Sequence, residues 1–368
     1  MLRVDRRLLQ NFDWPFLGLA LLLLGLGLLN LWSATSHGAP GMPPELRRQL
    51  LALGVGLGGL LAAVAVDYRT LERYAGTLYL GVAALLLATL ALGQVTRGTL
   101  GWIALGPVRF QPSELAKVAL VIRLAAHFHR HPPTRVERLA DLLRPGALIA
   151  LPVGLIVLQR DLGVAVLTLL VGATYLPLTR IRLRAWAGLA AAGAGALAGA
   201  WTWLLRDYQR NRILDVLDPE RDPLSSGYQV LQSLIAVGSG QLTGRGYMEG
   251  TQTQLSFLPT QHTDFVFSVL AEEWGFAGCA VVLGLYLALL LWGLLIARSS
   301  KDGFGALLAV GLVGCLFWPA AINIAMVLGL APVIGVPLPL FSYGGSSLVT
   351  TLLCLGLLLN ISMRRYVF

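Results

Sequence analysis

Apolar residues in this chain come in long blocks, separated by short polar segments that carry most of the charge. Ten blocks stand out: Pro15–Trp32, Leu50–Val66, Tyr74–Leu92, Ser113–Phe128, Pro145–Leu158, Leu162–Leu178, Ala185–Leu205, Phe265–Ala297, Gly305–Gly329 and Ser346–Ile361. Runs of roughly 20 apolar residues are what a helix needs to cross a bilayer. None alternates with the period of two of a membrane barrel strand, and backbone groups facing lipid must be paired within their own segment, so each block predicts a transmembrane helix. The fourth carries Glu114, Lys117 and Arg123, and the eighth is long enough to break or tilt near Trp274–Gly278. The pattern therefore predicts an all-α, polytopic integral membrane protein of about ten transmembrane helices, forming a single membrane domain over residues 1–368 with no soluble domain.

Arginine and lysine placement orients these spans. With the N-terminus inside, sixteen basic residues fall on the inner side: Arg3, Arg6, Arg7, Arg69, Arg73, Arg130, Arg135, Arg138, Arg144, Arg180, Arg182, Arg184, Arg298, Lys301, Arg364 and Arg365. Ten fall outside: Arg47, Arg48, Arg97, Arg109, Arg160, Arg206, Arg210, Arg212, Arg221 and Arg245. The bias places both termini in the cytoplasm. The outer side then holds the elaborate connections Gln94–Pro112, the long loop of about 206–264 between helices 7 and 8, and Leu330–Gly345, which points to an extracytoplasmic working face. Within the long loop, Tyr228–Val237 is amphipathic at helical spacing and predicts an interfacial or re-entrant helix. Gly238, Gly240, Gly244, Gly246 and Gly250 follow, either as a flexible loop or as backbone able to line an anion site.

Composition narrows the function classes. The chain is 56% apolar and 13% charged, with a net charge of +9 that the inner arginines explain and that suits anionic membrane lipid. No soluble basic domain exists to bind nucleic acid. Cys279, Cys315 and Cys354 lie inside spans and read as small core residues. Arg3–Arg7 before the first block looks like a retained first span rather than a cleaved signal. No glycine pattern of a nucleotide-binding loop is present. His127, His129 and His131 alternate at the inner end of the fourth span and read as interfacial side chains rather than metal ligands.

Three places carry candidate chemistry. Glu114 and Lys117 are three apart on one helical face at membrane depth, where ionisable groups pair or line an aqueous cavity. Gln159-Arg160-Asp161 joins two spans at the outer face, with Asp161 placed to support structure or to contact a substrate. Asp264 ends the most polar stretch of the chain, Gln261-His262-Thr263-Asp264, at the threshold of the eighth span. It is either a helix N-cap or a general base poised between burial and nearby arginines. His262 beside it is a supporting candidate.

These stretches resemble the SEDS family (shape, elongation, division and sporulation). The likeness runs in order along the whole chain through Gly101-Trp102-Ile103-Ala104-Leu105-Gly106-Pro107, Gln111-Pro112-Ser113-Glu114-Leu115-Ala116-Lys117, Gln159-Arg160-Asp161-Leu162-Gly163 and Tyr208-Gln209-Arg210-Asn211-Arg212-Ile213. It continues through Gly227-Tyr228-Gln229 to Gln232-Ser233, Gly238-Ser239-Gly240, Phe257-Leu258-Pro259, Thr263-Asp264-Phe265 and Pro337-Leu338-Pro339 to Ser347. The opening Phe12-Asp13-Trp14 and short tails are more similar to the family's elongation branch than to its division branch. One departure is Gln241, which stands where many relatives have a third glycine.

The resemblance implies a ten-helix peptidoglycan glycosyltransferase that polymerises lipid II, releases undecaprenyl diphosphate and works beside a class B penicillin-binding protein. It implies Asp264 as the catalytic aspartate. Arg48, Arg109, Arg210, Arg245 and Lys117 would hold the diphosphate, with Gln111, Glu114, Asp161, Gln232, Ser233, His262 and Thr263 as further substrate-binding candidates. A divalent cation, Mg or Mn, on the diphosphate is compatible with it. A lipid II flippase is the alternative that would use the same charged residues; the outer-face concentration of polar motifs argues against it.

Overall fold

A computed structural model describes residues 10–36, 41–96, 99–105, 108–132, 139–179, 182–218, 221 and 226–365. Arg3, Arg6, Arg7, Arg97, Arg135, Arg138, Arg180 and the pair Gly106-Pro107, all named from the sequence, lie outside the described residues.

Helix dominates the chain. The elements are α1 (Trp14–Ser36), α2 (Pro44–Ala65), α3 (Tyr68–Leu92), β1 (Gln94–Thr96), β2 (Thr99–Leu105), β3 (Val108–Phe110), α4 (Pro112–Arg130), α5 (Leu143–Leu158), α6 (Leu162–Ala173) and α7 (Leu183–Gly199). Then come α8 (Asp207–Leu217), α9 (Ser226–Ser239), the short turn α10 (Thr251–Gln254), α11 (Val266–Arg298), α12 (Gly303–Val327) and α13 (Gly345–Arg364). Among the described residues, eight helices have the length and hydropathy to cross a membrane. The charged α4 and the shorter apolar segment Leu162–Leu178 complete the ten expected spans.

Two connections hold more structure than their polarity suggests. The elaborate outer connection Gln94–Pro112 holds a three-stranded antiparallel meander in the order β1-β2-β3. The long loop contains α8 and α10 as well as the expected amphipathic helix, which runs Ser226–Ser239.

The spans alternate in direction, so the start of α1 and the end of α13 share one face, here the terminal face. Polar contacts seal it. Asp13 accepts from Trp292 Nε1 and Ser362 Oγ, both at 3.1 Å. Fully buried Asn360 donates to the carbonyls of Ala63, Val64 and Val66, which ties the α2–α3 corner to α13. Asp302 caps α12 through Gly305 N at 2.7 Å and accepts from Tyr68 Oη at 2.6 Å and Arg69 Nε at 3.2 Å. Apolar packing between these polar corners supplies the core, with α13 the most enclosed span and α4 wedged beside α3 and α12. By contrast α7 is exposed along almost its whole length and meets chiefly the short turn Leu139–Leu142.

The expected break in the eighth span is present. Gly275 takes φ 64° and ψ −164°, a conformation essentially restricted to glycine, and cuts α11 in two. A break frees backbone groups that lipid cannot satisfy. The turn 241–246 fills the gap: Arg245 N and Gly246 N donate to Glu272 O and Glu273 O, while Phe276 N and Ala277 N donate to Gln241 O and Leu242 O. Gly244 (φ +82°) allows this insertion, because a Cβ there would overlap the carbonyl of Glu273.

Candidate active site

Asp264 stands at the entrance to α11. Thr260, at φ 53°, turns the chain, and Thr263 N and Asp264 N both donate to Thr260 O at 3.0 and 3.1 Å. The N-cap position is Phe265, without a side-chain cap, so Asp264 does not fill the capping role its type allows. Its side chain is half-buried. Carboxylate Oδ2 faces Gly335 (φ +72°), where an added Cβ would lie 3.7 Å away. Asn323 of α12 fixes this pairing of segments, donating to Asp264 O at 2.8 Å and to Val336 O at 2.7 Å. Asn30 of α1 donates to Val266 O at 2.9 Å and secures the first turn of α11. His262 and Thr263 lie alongside; the His262 ring centroid is 5.8 Å from that of Tyr343, and Thr263 Oγ1 donates to Thr260 O.

The second group gathers where β3 enters α4. Gln111 precedes Pro112, which suits a first helical turn because proline lacks the donor that turn leaves idle. Gln111 N donates to Ser346 Oγ at 3.1 Å, and Gln111 Nε2 to Asp161 Oδ2 at 3.0 Å. One turn on, Lys117 Nζ donates to Glu114 Oε1 at 2.9 Å, with both residues buried. The pair lines a narrow pocket of mixed polarity with Cys315, Pro319, Pro339, Ser347, Thr350, Thr351 and Cys354. Pro319 lies four residues before Asn323 on α12, so one face of that helix serves both places. The short segment from Gly335 to Pro339 joins them, facing Asp264 at one end and the pocket at the other.

Asp161 supports this arrangement. It caps α6 through Val164 N at 3.2 Å, and its hydrogen bonds come from that amide and Gln111 rather than from Lys117. Burial raises its carboxyl above the ordinary range, and those two bonds partly oppose the rise.

The remaining candidates are dispersed. Arg48, Arg109 and Arg245 are exposed. Arg210 is held by the carbonyls of Trp201 and Thr202 and by Asp207 at 3.4 Å, which fastens α8 to the end of the α7 segment. Ser233 is fully buried, donates to Val327 O at 2.7 Å and meets Ser268 Oγ at 2.9 Å, so it joins α9, α11 and α12. Gln232 beside it is half-buried. Among the described residues no three His, Cys, Asp or Glu side chains gather as a metal-ligand set.

Sequence reasoning missed Asn323, Gln49 and Gln261. Gln49 is buried, donates to Ser342 O at 3.1 Å and accepts from Gly344 N at 3.0 Å. Asn323 is a polar residue inside an apolar block, a signal available in the sequence.

Known proteins match this architecture along its length. The FtsW/RodA/SpoVE family, described as cell cycle proteins, matches residues 14–367. The peptidoglycan glycosyltransferase MrdB of Escherichia coli K12 is 40% identical over 358 residues, covering 96% of this chain and 94% of that protein. The peptidoglycan glycosyltransferase RodA of Treponema pallidum is 32% identical, covering 97% and 98%. Among solved structures, a chain from a study of polymerisation and crosslinking by a peptidoglycan synthase complex superposes with a TM-score of 0.80 at 36% identity, covering 97% of this chain and 99% of that one. The rod shape determining protein RodA of Thermus thermophilus superposes with a TM-score of 0.69 at 33% identity, covering 96% and 98%. With the family match running from α1 to beyond α13, the chain belongs to the FtsW/RodA/SpoVE, or SEDS, family of membrane proteins.

Proposed function

We infer that this chain is a peptidoglycan glycosyltransferase of cell elongation, polymerising lipid II into β-1,4 glycan strands and releasing undecaprenyl diphosphate. The observation that carries the reading is the placement of Asp264: a half-buried carboxylate on a pinned backbone, facing the bare backbone of Gly335, with buried Lys117 at the far end of the same short segment. A carboxylate so held suits a general base, because it is positioned before substrate arrives.

In this reading Asp264 takes the proton of the acceptor's N-acetylglucosamine 4-hydroxyl as that oxygen attacks the anomeric carbon of the donor's N-acetylmuramic acid. The carbon–oxygen bond to the diphosphate breaks, the diphosphate leaves with the electron pair, and the α linkage inverts to β. Protonated Asp264 then returns its proton to water. Exposed Arg48, Arg109 and Arg245 suit the diphosphate, as Lys117 does once its bond to Glu114 loosens, since guanidinium and ammonium donors stabilise charge on the leaving group. A Mg or Mn ion would arrive with the diphosphate and would supply charge neutralisation there. The inner arginine bias supports a site face turned outward in a bacterial cytoplasmic membrane. A class B penicillin-binding protein is the proposed partner that cross-links the product, and a structure of a synthase complex superposing on this chain supports that pairing.

The test is a lipid II polymerisation assay with the chain and its partner, transpeptidation blocked, comparing wild type with Asp264→Ala. Glycan ladders lost only in the variant support the reading. Ladders in both exclude Asp264 as the base. No ladder in either, with wild-type vesicles moving lipid II across the membrane, replaces polymerase with flippase.

A further inference from the structure

Glu272 lies two turns into α11 from Asp264, fully buried, and has no part in the chemistry described so far. Its carboxylate is saturated with donors. Oε1 accepts from Gln252 N at 2.8 Å and Thr251 Oγ1 at 3.4 Å; Oε2 accepts from Thr253 N at 3.0 Å and Thr253 Oγ1 at 2.7 Å. Four donors on one enclosed carboxylate fix the turn Thr251–Gln254 against the helix that carries Asp264.

The hold extends to the site. Thr253 O accepts from Gln261 Nε2 at 3.1 Å, and the same amide donates to Ala34 O of α1 at 2.9 Å. Thr253 and Gln261 are both buried. Gln261 is three residues before Asp264, and the turn between them closes on Thr260 O. A chain of hydrogen bonds therefore runs from Glu272 through Thr253 to Gln261 and into the backbone that presents Asp264. Nothing else on this path bears charge, so Glu272 is its anchor.

We propose that Glu272 is a positioning residue for glycosyl transfer, acting on Asp264 through Thr253 and Gln261. The proposal rests on the reading of Asp264 as general base. A base displaced by a fraction of an ångström loses turnover before it loses substrate, so the signature is a fall in kcat with KM for lipid II unchanged.

The experiment measures kcat and KM for lipid II polymerisation by the chain with its transpeptidase partner, alongside the melting temperature in detergent. Glu272→Gln and Gln261→Met each interrupt the chain while keeping side-chain size, whereas Thr253→Val removes the Oγ1 donor and leaves Thr253 N on Glu272 Oε2. Thr253→Ser keeps both of its donors. Expected are losses of kcat on the order of ten- to a hundredfold for Glu272→Gln and Gln261→Met, with a smaller loss for Thr253→Val. KM stays at its wild-type value when turnover is measured well below each variant's melting temperature, and Thr253→Ser retains wild-type activity and melting. The double variant Glu272→Gln/Gln261→Met is no worse than the poorer single, because both break one path. A rise in KM alongside the fall in kcat, or losses that multiply in the double variant, overturn the proposal by making these ordinary structural contacts. Asp264→Ala inactive with Glu272→Gln and Gln261→Met unimpaired removes the proposal alone. Asp264→Ala as active as wild type removes the reading of the base and this proposal with it.

Discussion

Lys117 Nζ lies 2.9 Å from Glu114 Oε1, one helical turn away, with side chains 5% and 6% exposed. Removing one member of so enclosed a pair strands the other's charge, which typically costs about 3–5 kcal/mol. Lys117→Met and Glu114→Gln singly should each lower the melting temperature in detergent, and the double variant should recover most of that loss. Polymerisation should not recover with it if Lys117 serves the diphosphate. Thermal melting and glycan ladders on the three variants separate the two roles.

Asn323 gives a second expectation. Its amide supplies donors to the carbonyls of Asp264 and Val336, so Asn323→Asp sets oxygen against oxygen at both. Such a variant should lose polymerisation on the order of a hundredfold through misplacement of Asp264. Asn323→Leu leaves two buried carbonyls unpaired, at about 1–3 kcal/mol each. Turnover and melting should therefore fall together in the leucine variant.

Gly275 tests the inserted turn. Its φ/ψ region costs a residue with a side chain about 1–3 kcal/mol, and a Cβ would also run into Gly244 N. Gly275→Ala should loosen the turn 241–246 and make it the first site cut in limited proteolysis. Gly284, in open space on the same helix, is the control, and Gly284→Ala should leave the cleavage pattern unchanged.

Asp302 predicts a pH dependence on the opposite face. Burial raises its carboxyl, but hydrogen bonds from Tyr68, Gly305 N and Arg69, with the charge of Arg69, outweigh that and hold it below the ordinary range. A depressed folded value means the stabilisation is complete above the unfolded carboxyl pKa of about 4 and disappears as pH falls through the folded value. Melting temperature in detergent should therefore decline below about pH 4 in wild type and more shallowly in Asp302→Ala. At pH 7 that variant should be less stable by about 1 kcal/mol, the usual worth of a helix cap.

The spans were legible because lipid imposes a length and an apolarity that few soluble segments meet, and the break at Gly275 announced itself as excess length. The meander at Gln94–Phe110 was not, since short strands joined by glycines lack a periodicity strong enough to separate them from loop. Arg48 fell outside the second block because its charge ended the apolar run, although α2 starts at Pro44 and includes it. The place of Asp264 at the threshold of the eighth span was legible from position, as was the polar character of Gln261 and Asn323, whereas the distant carbonyls that Asn323, Gln49 and Gln261 meet were not. Gln241 shows the reverse case. The resemblance expected glycine there, and the structure gives that residue φ 47°, so glutamine occupies a left-handed backbone that glycine would take freely.

An unbroken helix of the length of α11 would extend about 50 Å, well beyond the roughly 30 Å of hydrocarbon it must cross. Cut at Gly275, the portion from Phe276 to Arg298 matches a bilayer by itself at about 35 Å. The portion bearing Asp264 is bolted instead to the inserted turn and to α1. The two portions thus answer to different masters: one presents Phe276, Val281, Leu287, Leu291 and Leu295 outward along its length, while residues 266–273 of the other are buried in protein. The aim of the aspartate is thereby insulated from the lipid composition in which the enzyme sits.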